Sequence, residues 1–160
     1  GGGTGMTNAK SSLSTDEIKS IVDKITEEKA KTVCSYALAR VGYPYSQTYR
    51  DSGRYYDCSS LAFYSWQNAG VNISYDGANY AAAEAKWCDE NKKVVNESDL
   101  MPGDLIFYSY SNNGRYKNIS HVGIYVGDGK MVEAVDEATG VVICDYHNKN
   151  MALIGRLNKR

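Results

Sequence analysis

The apolar residues of this chain change their spacing part-way along, and that change limits the folds open to it. Up to about residue 88 they recur at three- and four-residue intervals, the period of a helix. From about residue 104 they alternate, or run in short blocks between turn residues, the period of a strand. Helices first and an antiparallel meander afterwards predict an α+β domain with N-terminal helices packed on an antiparallel sheet. The chain has 160 residues, which suits one domain with one core.

Residues 1–13 are rich in Gly, Ser and Thr and read as a flexible tag or linker, followed by a single domain over residues 14–160. Ser14-Thr15-Asp16-Glu17 reads as a capping box, and Ile18, Ile21, Val22 and Ile25 form one helical stripe running to about residue 28. A second stretch, about 30–40, presents Val33, Cys34, Ala37, Leu38 and Val41 to a core; the two can be read as one helix or two. Gly42 and Pro44 stop it. Residues 43–56 form a polar, turn-rich loop. Another helical pattern follows Asp57 through Leu61, Ala62, Ser65, Trp66 and Ala69, with Gly70 at its C-terminal cap, and an Ala-rich helix covers about 78–88. Strands are expected at 104–108, 121–126, 130–135, 141–146 and about 151–157. Met101-Pro102-Gly103, Asp128-Gly129 and Ala138-Thr139-Gly140 supply turns.

The bulk properties exclude several classes of function. Apolar residues make up 42% and charged residues 23%, ordinary for a soluble globular domain, and the net charge is −1. No global field draws such a chain to nucleic acid or to an anionic membrane. No apolar run is long enough to span a bilayer. The opening residues lack the basic start and apolar stretch of a signal peptide. Residues 1–5 look like a cloning scar or a linker, so this says little about where a parent chain works. The 14 tyrosines are read mainly as core and sheet filling, with a groove for sugar or peptide as the other use.

Cys34, Cys58, Cys88 and Cys144 form no C-x-x-C pair, and His121 and His147 lie far apart in sequence. A structural zinc site is therefore not expected, no cofactor is called for, and at least three cysteines should be thiols. Cys58 stands at a helix start, where backbone N–H groups favour a thiolate and can stabilise an oxyanion. Cys34 and Cys144 read as core residues, and Cys88 is left open. A thiolate nucleophile needs a base. His121 opens a strand and can reach towards a helix N-terminus, although a lone histidine there can equally be structural. His147, in the polar run Tyr146-His147-Asn148-Lys149-Asn150, reads as an exposed loop residue.

Taken together, four blocks resemble the signature of the NlpC/P60 cell-wall peptidases: Ala39-Arg40-Val41-Gly42-Tyr43-Pro44-Tyr45, Tyr56-Asp57-Cys58-Ser59-Ser60-Leu61, Met101-Pro102-Gly103-Asp104-Leu105-Ile106-Phe107, and Ser120-His121-Val122-Gly123-Ile124-Tyr125-Val126-Gly127. Ile154-Gly155-Arg156 resembles the family's last strand, so the resemblance covers about 30–158. It implies a papain-like core and hydrolysis of peptidoglycan stem peptides, commonly at the bond between D-γ-glutamate and a diamino acid. It also implies an extracellular or wall-associated setting, with further domains in the parent chain. Cys58 matches the nucleophile and His121 the base. Tyr45 matches a tyrosine whose hydroxyl lies near the nucleophile. Asp57 and Ser59 match positions that bind a free substrate amine in some members; for Asp57, loop capping is the other role.

Three departures from the pattern stand out. Glu133, twelve residues beyond His121, occupies the place of a third member that is most often His. A carboxylate there can orient an imidazole, or it can be a solvent-facing strand residue. Ser46-Gln47-Thr48-Tyr49 replaces a Gly-Gly pair, so the loop over the site should differ in shape. Ser60 replaces a common Gly. Besides the peptidase, the same Cys–His pair would serve an amidase or acyltransferase, and a weakened site would leave a wall-binding module.

Overall fold

The structure is a computed structural model and describes residues 5–160. Four helices precede most of the sheet: α1 (Thr15–Val22), α2 (Glu28–Ala39), α3 (Cys58–Gln67) and α4 (Ala81–Glu90). Six strands follow: β1 (Val94–Val95), β2 (Leu105–Tyr108), β3 (His121–Gly127), β4 (Lys130–Ala134), β5 (Val141–Asp145) and β6 (Met151–Gly155). They form one antiparallel sheet in the order β1-β6-β2-β3-β4-β5. The α+β architecture expected from the period change is the one observed.

Local chemistry accounts for most of the helix ends. Ser14 and Glu17 form the expected capping box, with Ser14 Oγ accepting from Glu17 N and Glu17 Oε1 accepting from Ser14 N. The first helix stops at Val22, short of residue 28. Glu27 then caps a separate α2, its carboxylate accepting from Ala30 N at 2.6 Å. A single apolar stripe does not reveal that break, because Ile25 is buried in the turn between the helices as it would be on a continuous one. The short β1 was not expected; two residues that pair with Ile154 and Gly155 at a sheet edge carry too little pattern to be seen.

The sheet is covered on both faces, so its strands read as apolar runs rather than strict alternation. On one face Leu105, Phe107, Val122, Ile124, Val126, Val132 and Ala134 join the helices in the main core. On the other, Ile106, Tyr108, Met131, Cys144 and Ile154 form a second cluster, flanked by Met6, Tyr110, Tyr125 and Tyr146. Helix α3 is enclosed: eight of its ten residues are buried, from Cys58 to Trp66. Trp66 Nε1 donates to Gly103 O at 3.1 Å and ties α3 to the turn before β2.

The Gly/Ser/Thr-rich opening, expected to be a flexible linker, has its residues 1–4 outside the described residues. Over residues 7–10 it runs along the outer edge of β5. Lys10 N donates to Ile143 O (2.8 Å), Ile143 N to Lys10 O (3.0 Å) and Asp145 N to Thr7 O (3.0 Å). Main-chain pairing of this kind is blind to side-chain identity and leaves no mark in composition; here it covers what would be an open sheet edge.

Asp104 is 1% exposed and carries a carboxylate at the start of β2. Arg156 holds it with two bonds, Nε to Oδ1 and a terminal nitrogen to Oδ2, both 2.9 Å, and Met101 N donates to Oδ2 at 2.8 Å. Truncating Arg156 strands a buried charge. Arg156→Ala is expected to lower stability by about 3 kcal/mol in urea unfolding at neutral pH; a loss below about 1 kcal/mol, the range of an exposed pair, would contradict this account.

Candidate active site

Cys58 is the first residue of α3, and the helix start is built around it. Asp57 is the N-cap: its Oδ1 accepts from Ser60 N at 2.8 Å, while Ser60 Oγ accepts from Asp57 N at 3.0 Å. Ser60 therefore closes a capping box. The extended segment before the helix is pinned as well. Tyr56 N donates to Pro44 O and Ser46 N to Tyr56 O, which brings Tyr45 alongside Tyr56. That loop is in turn tied to the sheet. Gly42 N donates to Val141 O and Val141 N to Tyr43 O, both at 2.9 Å. The approach is close enough that a Cβ on Gly140, at φ +74°, would lie 2.6 Å from Tyr43 O.

His121 is the first residue of β3 and is completely buried. Its Nε2 bonds Glu133 Oε1 at 2.7 Å, and Glu133, on β4, is also completely buried. The solvent-facing alternative for Glu133 therefore does not hold. His121 lies near enough to the Cys58 thiol to set its charge, and with Nε2 committed to Glu133 the ring nitrogen left for Cys58 is Nδ1. Gly123 lies on the same face of β3; a Cβ there would sit 3.6 Å from Glu133 Cβ and 2.2 Å from Met131 Cε. Its bare backbone leaves room for the Met131 side chain, which packs beside Glu133 on β4.

The electrostatics separate one thiol from the other three. Burial pushes the Cys58 thiol up, but its interaction with the neighbouring His121 outweighs it and brings the pKa to about 7. Burial pushes His121 down, and its bonds and charge interactions with Cys58 and Glu133 carry it instead to about 9. Glu133 resists burial in the same way and is held well below the usual carboxylate range by two histidines. Desolvation pushes Cys34 up to about 12, and Cys88 and Cys144 also rise, with burial the largest cause in each. None of the four cysteines is in a disulfide. Cys34 and Cys144 are core residues as expected, and Cys88, left open by the sequence, is core too.

Tyr45 is half-buried within electrostatic reach of Cys58 and Asp57; burial and those negative charges raise its hydroxyl pKa. Asp57 and Ser59 converge on a side chain the sequence did not single out. Arg50 Nε donates to Asp57 Oδ2 at 2.8 Å, and a terminal nitrogen donates to Ser59 Oγ at 3.0 Å; Asn79 takes two further bonds. No motif marks Arg50, because its loop has the shape-specific sequence that departs from the family pattern.

The reading of His147 as an exposed loop residue is corrected by the structure. Its side chain is 8% exposed, and its Nε2 bonds Glu133 Oε2 at 2.7 Å. The Tyr108 ring lies tilted against the imidazole at 4.9 Å between ring centroids, and its hydroxyl donates to His147 O at 2.9 Å. The polar neighbours Asn148, Lys149 and Asn150 are exposed, which hid the inward turn of His147.

The class follows from the frame: helices packed on an antiparallel sheet, with a thiol at the head of the enclosed helix, give this domain a papain-like α+β fold. A sequence model of the NlpC/P60 family matches residues 42–153, well over half of the chain, and the chain belongs to that family. It is 34% identical over 114 residues to the "Probable endopeptidase p60" of Listeria grayi, covering 70% of this chain and 19% of that protein. It is 30% identical over 131 residues to the "Bifunctional muramidase/DL-endopeptidase CwlT" of Bacillus subtilis, covering 79% of this chain and 36% of that one. The chain thus spans well under half the length of these curated relatives. Among solved structures, the peptidoglycan hydrolase RipB from Mycobacterium tuberculosis superposes with a TM-score of 0.66 at 24% identity, over 87% of this chain and 71% of that one. NlpC1 from Trichomonas vaginalis gives 0.67 at 19%, over 84% and 45%. At these identities the superpositions speak for the fold.

One further carboxyl lies close by. Glu84 of α4 is completely buried, and among the described residues neither of its oxygens has a hydrogen-bond partner. Burial, with Cys58 and Asp57 nearby, raises its pKa well above 4.5. The folded chain then holds this proton more tightly than the unfolded chain, so its contribution to stability is lost as pH rises above about 4.5. Glu84→Met is expected to stabilise the fold at neutral pH by about 1–3 kcal/mol, with a smaller gain in mild acid. Denaturant unfolding at two pH values checks this, and a gain that does not grow with pH would refute it.

Proposed function

We propose that this chain is a cysteine peptidase that hydrolyses stem peptides of peptidoglycan. The observation that carries the reading is the arrangement at the head of α3: Cys58 as the first residue of the helix, beside a buried His121 whose Nε2 is held by Glu133 Oε1 at 2.7 Å, a setting that brings the thiol down to about 7 and the imidazole up to about 9. Between those values the thiolate–imidazolium pair is populated, which is the form a thiol peptidase uses.

In the proposed reaction the Cys58 thiolate attacks the scissile carbonyl carbon. The carbonyl oxygen becomes an oxyanion facing the first-turn amides of α3, which have no intrahelical acceptor, and the Tyr45 hydroxyl. His121 gives the Nδ1 proton to the leaving nitrogen, the C–N bond breaks, and a thioester remains on Cys58. Water then loses a proton to His121 Nδ1 and attacks the thioester, releasing the carboxylic acid product and the thiolate. Glu133 orients the ring and stabilises the imidazolium. Asp57 and Ser59 lie beside the nucleophile as N-cap and first-turn residue, with Arg50 bonded to both, so any effect of theirs on a substrate amine works through the charge of that group.

The bond between D-γ-glutamate and a diamino acid is the proposed target, supported by the DL-endopeptidase name of the Bacillus relative. An extracellular or wall-associated setting and additional domains in the parent chain follow from the same family reading, since the chain spans only part of its relatives. A net charge of −1 gives no support to a nucleic-acid partner. Among the described residues, no helix is long and apolar enough to cross a membrane.

Mass spectrometry of digested muropeptides tests activity and bond together. Cys58→Ala and His121→Ala are each expected to abolish cutting, and identical wild-type and Cys58→Ala digests would end the peptidase reading. Products showing cleavage at the muramyl amide, or a transferred acyl group, would replace it with an amidase or acyltransferase. The pH profile of kcat/KM should be bell-shaped, rising through about 7 as Cys58 ionises and falling through about 9 as His121 loses its proton. A profile that is flat across that window would exclude the ion-pair mechanism.

A further inference from the structure

The Glu133 carboxylate has two oxygens and only one of them serves His121. Oε1 bonds His121 Nε2 at 2.7 Å; Oε2 bonds His147 Nε2 at 2.7 Å and accepts from the Cys144 thiol at 3.2 Å. The ionisable groups around it come from four parts of the fold: His121 from β3, Cys144 from β5, His147 from the segment after β5, and Tyr108 from β2, flanked by Tyr110 and Tyr146. Tyr108 lies against both imidazoles, with centroid distances of 5.6 Å to His121 and 4.9 Å to His147. The other charged groups of β4 and β5, Lys130 and Asp145, pair with each other three residues along from Glu133.

Nothing in this interior resembles solvent, so every donor to Glu133 matters. Without a donor on Oε2, a buried carboxylate oxygen would be unmatched, and the group would gain by turning away or taking up a proton. A protonated Glu133 would donate to His121 Nε2. The proton on the His121 ring would then sit on Nδ1, where the neutral base needs its lone pair for Cys58.

We propose that His147 is a positioning residue of this site: its Nε2–H holds Glu133 Oε2, keeps Oε1 an acceptor for His121, and so keeps the His121 lone pair on the side of Cys58. The role rests on the peptidase reading above and adds to it a fourth member that acts through Glu133. Cys144 assists on the same oxygen as a weaker donor. The donor atoms of Glu133, Cys144 and His147 also lie within 4.8 Å of one another, near enough to hold a metal ion. Hydrogen bonds already give each of the three a partner, and a chelator in the assay separates the two arrangements.

The test measures kcat and KM on a muropeptide, and the pH dependence of Cys58 alkylation by iodoacetamide, with chelator present, for wild type, His147→Phe, His147→Gln and His147→Asn. His147→Phe keeps the ring volume and removes the donor; kcat is expected to fall about tenfold or more with KM little changed. Its alkylation midpoint is expected to move upward from about 7. His147→Gln, whose amide reaches the place of Nε2, should recover most of the activity, and the shorter His147→Asn should not. If the variants keep wild-type kcat and the wild-type midpoint, His147 only fills space and the inference fails. If His147→Phe does not fold, the Gln–Asn contrast decides, and equal kcat in those two overturns it. Loss of wild-type activity to the chelator also overturns it, in favour of a metal. A wild type that cuts nothing, with Cys58 alkylated no faster than a simple thiol, ends the peptidase reading itself.

Discussion

The enclosure of α3 is the constraint on which the rest of the structure depends. A helix with eight of ten residues buried has no solvent-facing side to spare. Its polar groups must be satisfied from within: Ser65 donates back to Leu61 O at 2.6 Å, and Asp57 and Ser60 close the N-terminal cap. The helix presents its reactive group at its start, where the first amides lack intrahelical i−4 acceptors. Packing α3 against the strand β3, while tying Trp66 to the turn before β2, fixes that start against the first residue of β3. Positioning the thiol is thus a consequence of core packing rather than a separate device.

Given that frame, burial alone would leave all four thiols inert. Desolvation opposes the thiolate at Cys34, Cys58, Cys88 and Cys144 alike. What distinguishes Cys58 is a single neighbour that can carry positive charge in the same dry environment. Coulomb attraction is strongest where water is excluded, so the burial that penalises each ion alone also strengthens the pair. The same reasoning explains Glu84, equally buried, where Cys58 and Asp57 add to burial, Arg50 offsets only part of it, and no hydrogen-bond partner is present among the described residues, so its pKa is raised.

Much of this was legible in the sequence, for identifiable reasons. Helix starts announce themselves through short-range chemistry, so Ser14–Glu17 and Asp57–Cys58 could be read directly. The five longer strands declared themselves through period and turn residues. The main-chain pairing of residues 7–10 with β5 could not be read, because backbone bonds have no side-chain signature. Arg50 was hidden in a loop whose conformation is its own. His147 was misread because its exposed neighbours set the local composition, while its own ring turns inward from the segment after β5 to a partner fourteen residues away on β4.

That last misreading is linked to the one feature of the site that looked irregular. An imidazole in the place of Glu133 would offer a single acceptor nitrogen to His121 and carry no obligatory charge. A carboxylate offers two oxygens and a negative charge, and burying it completely demands more donors than one histidine supplies. Glu133 and His147 are therefore best understood as one unit: the acid at the third position is tolerable in the interior because a second histidine matches its other oxygen. The departure from the family pattern at residue 133 and the inward turn at residue 147 have a common physical origin in the hydrogen-bond requirements of a buried carboxylate.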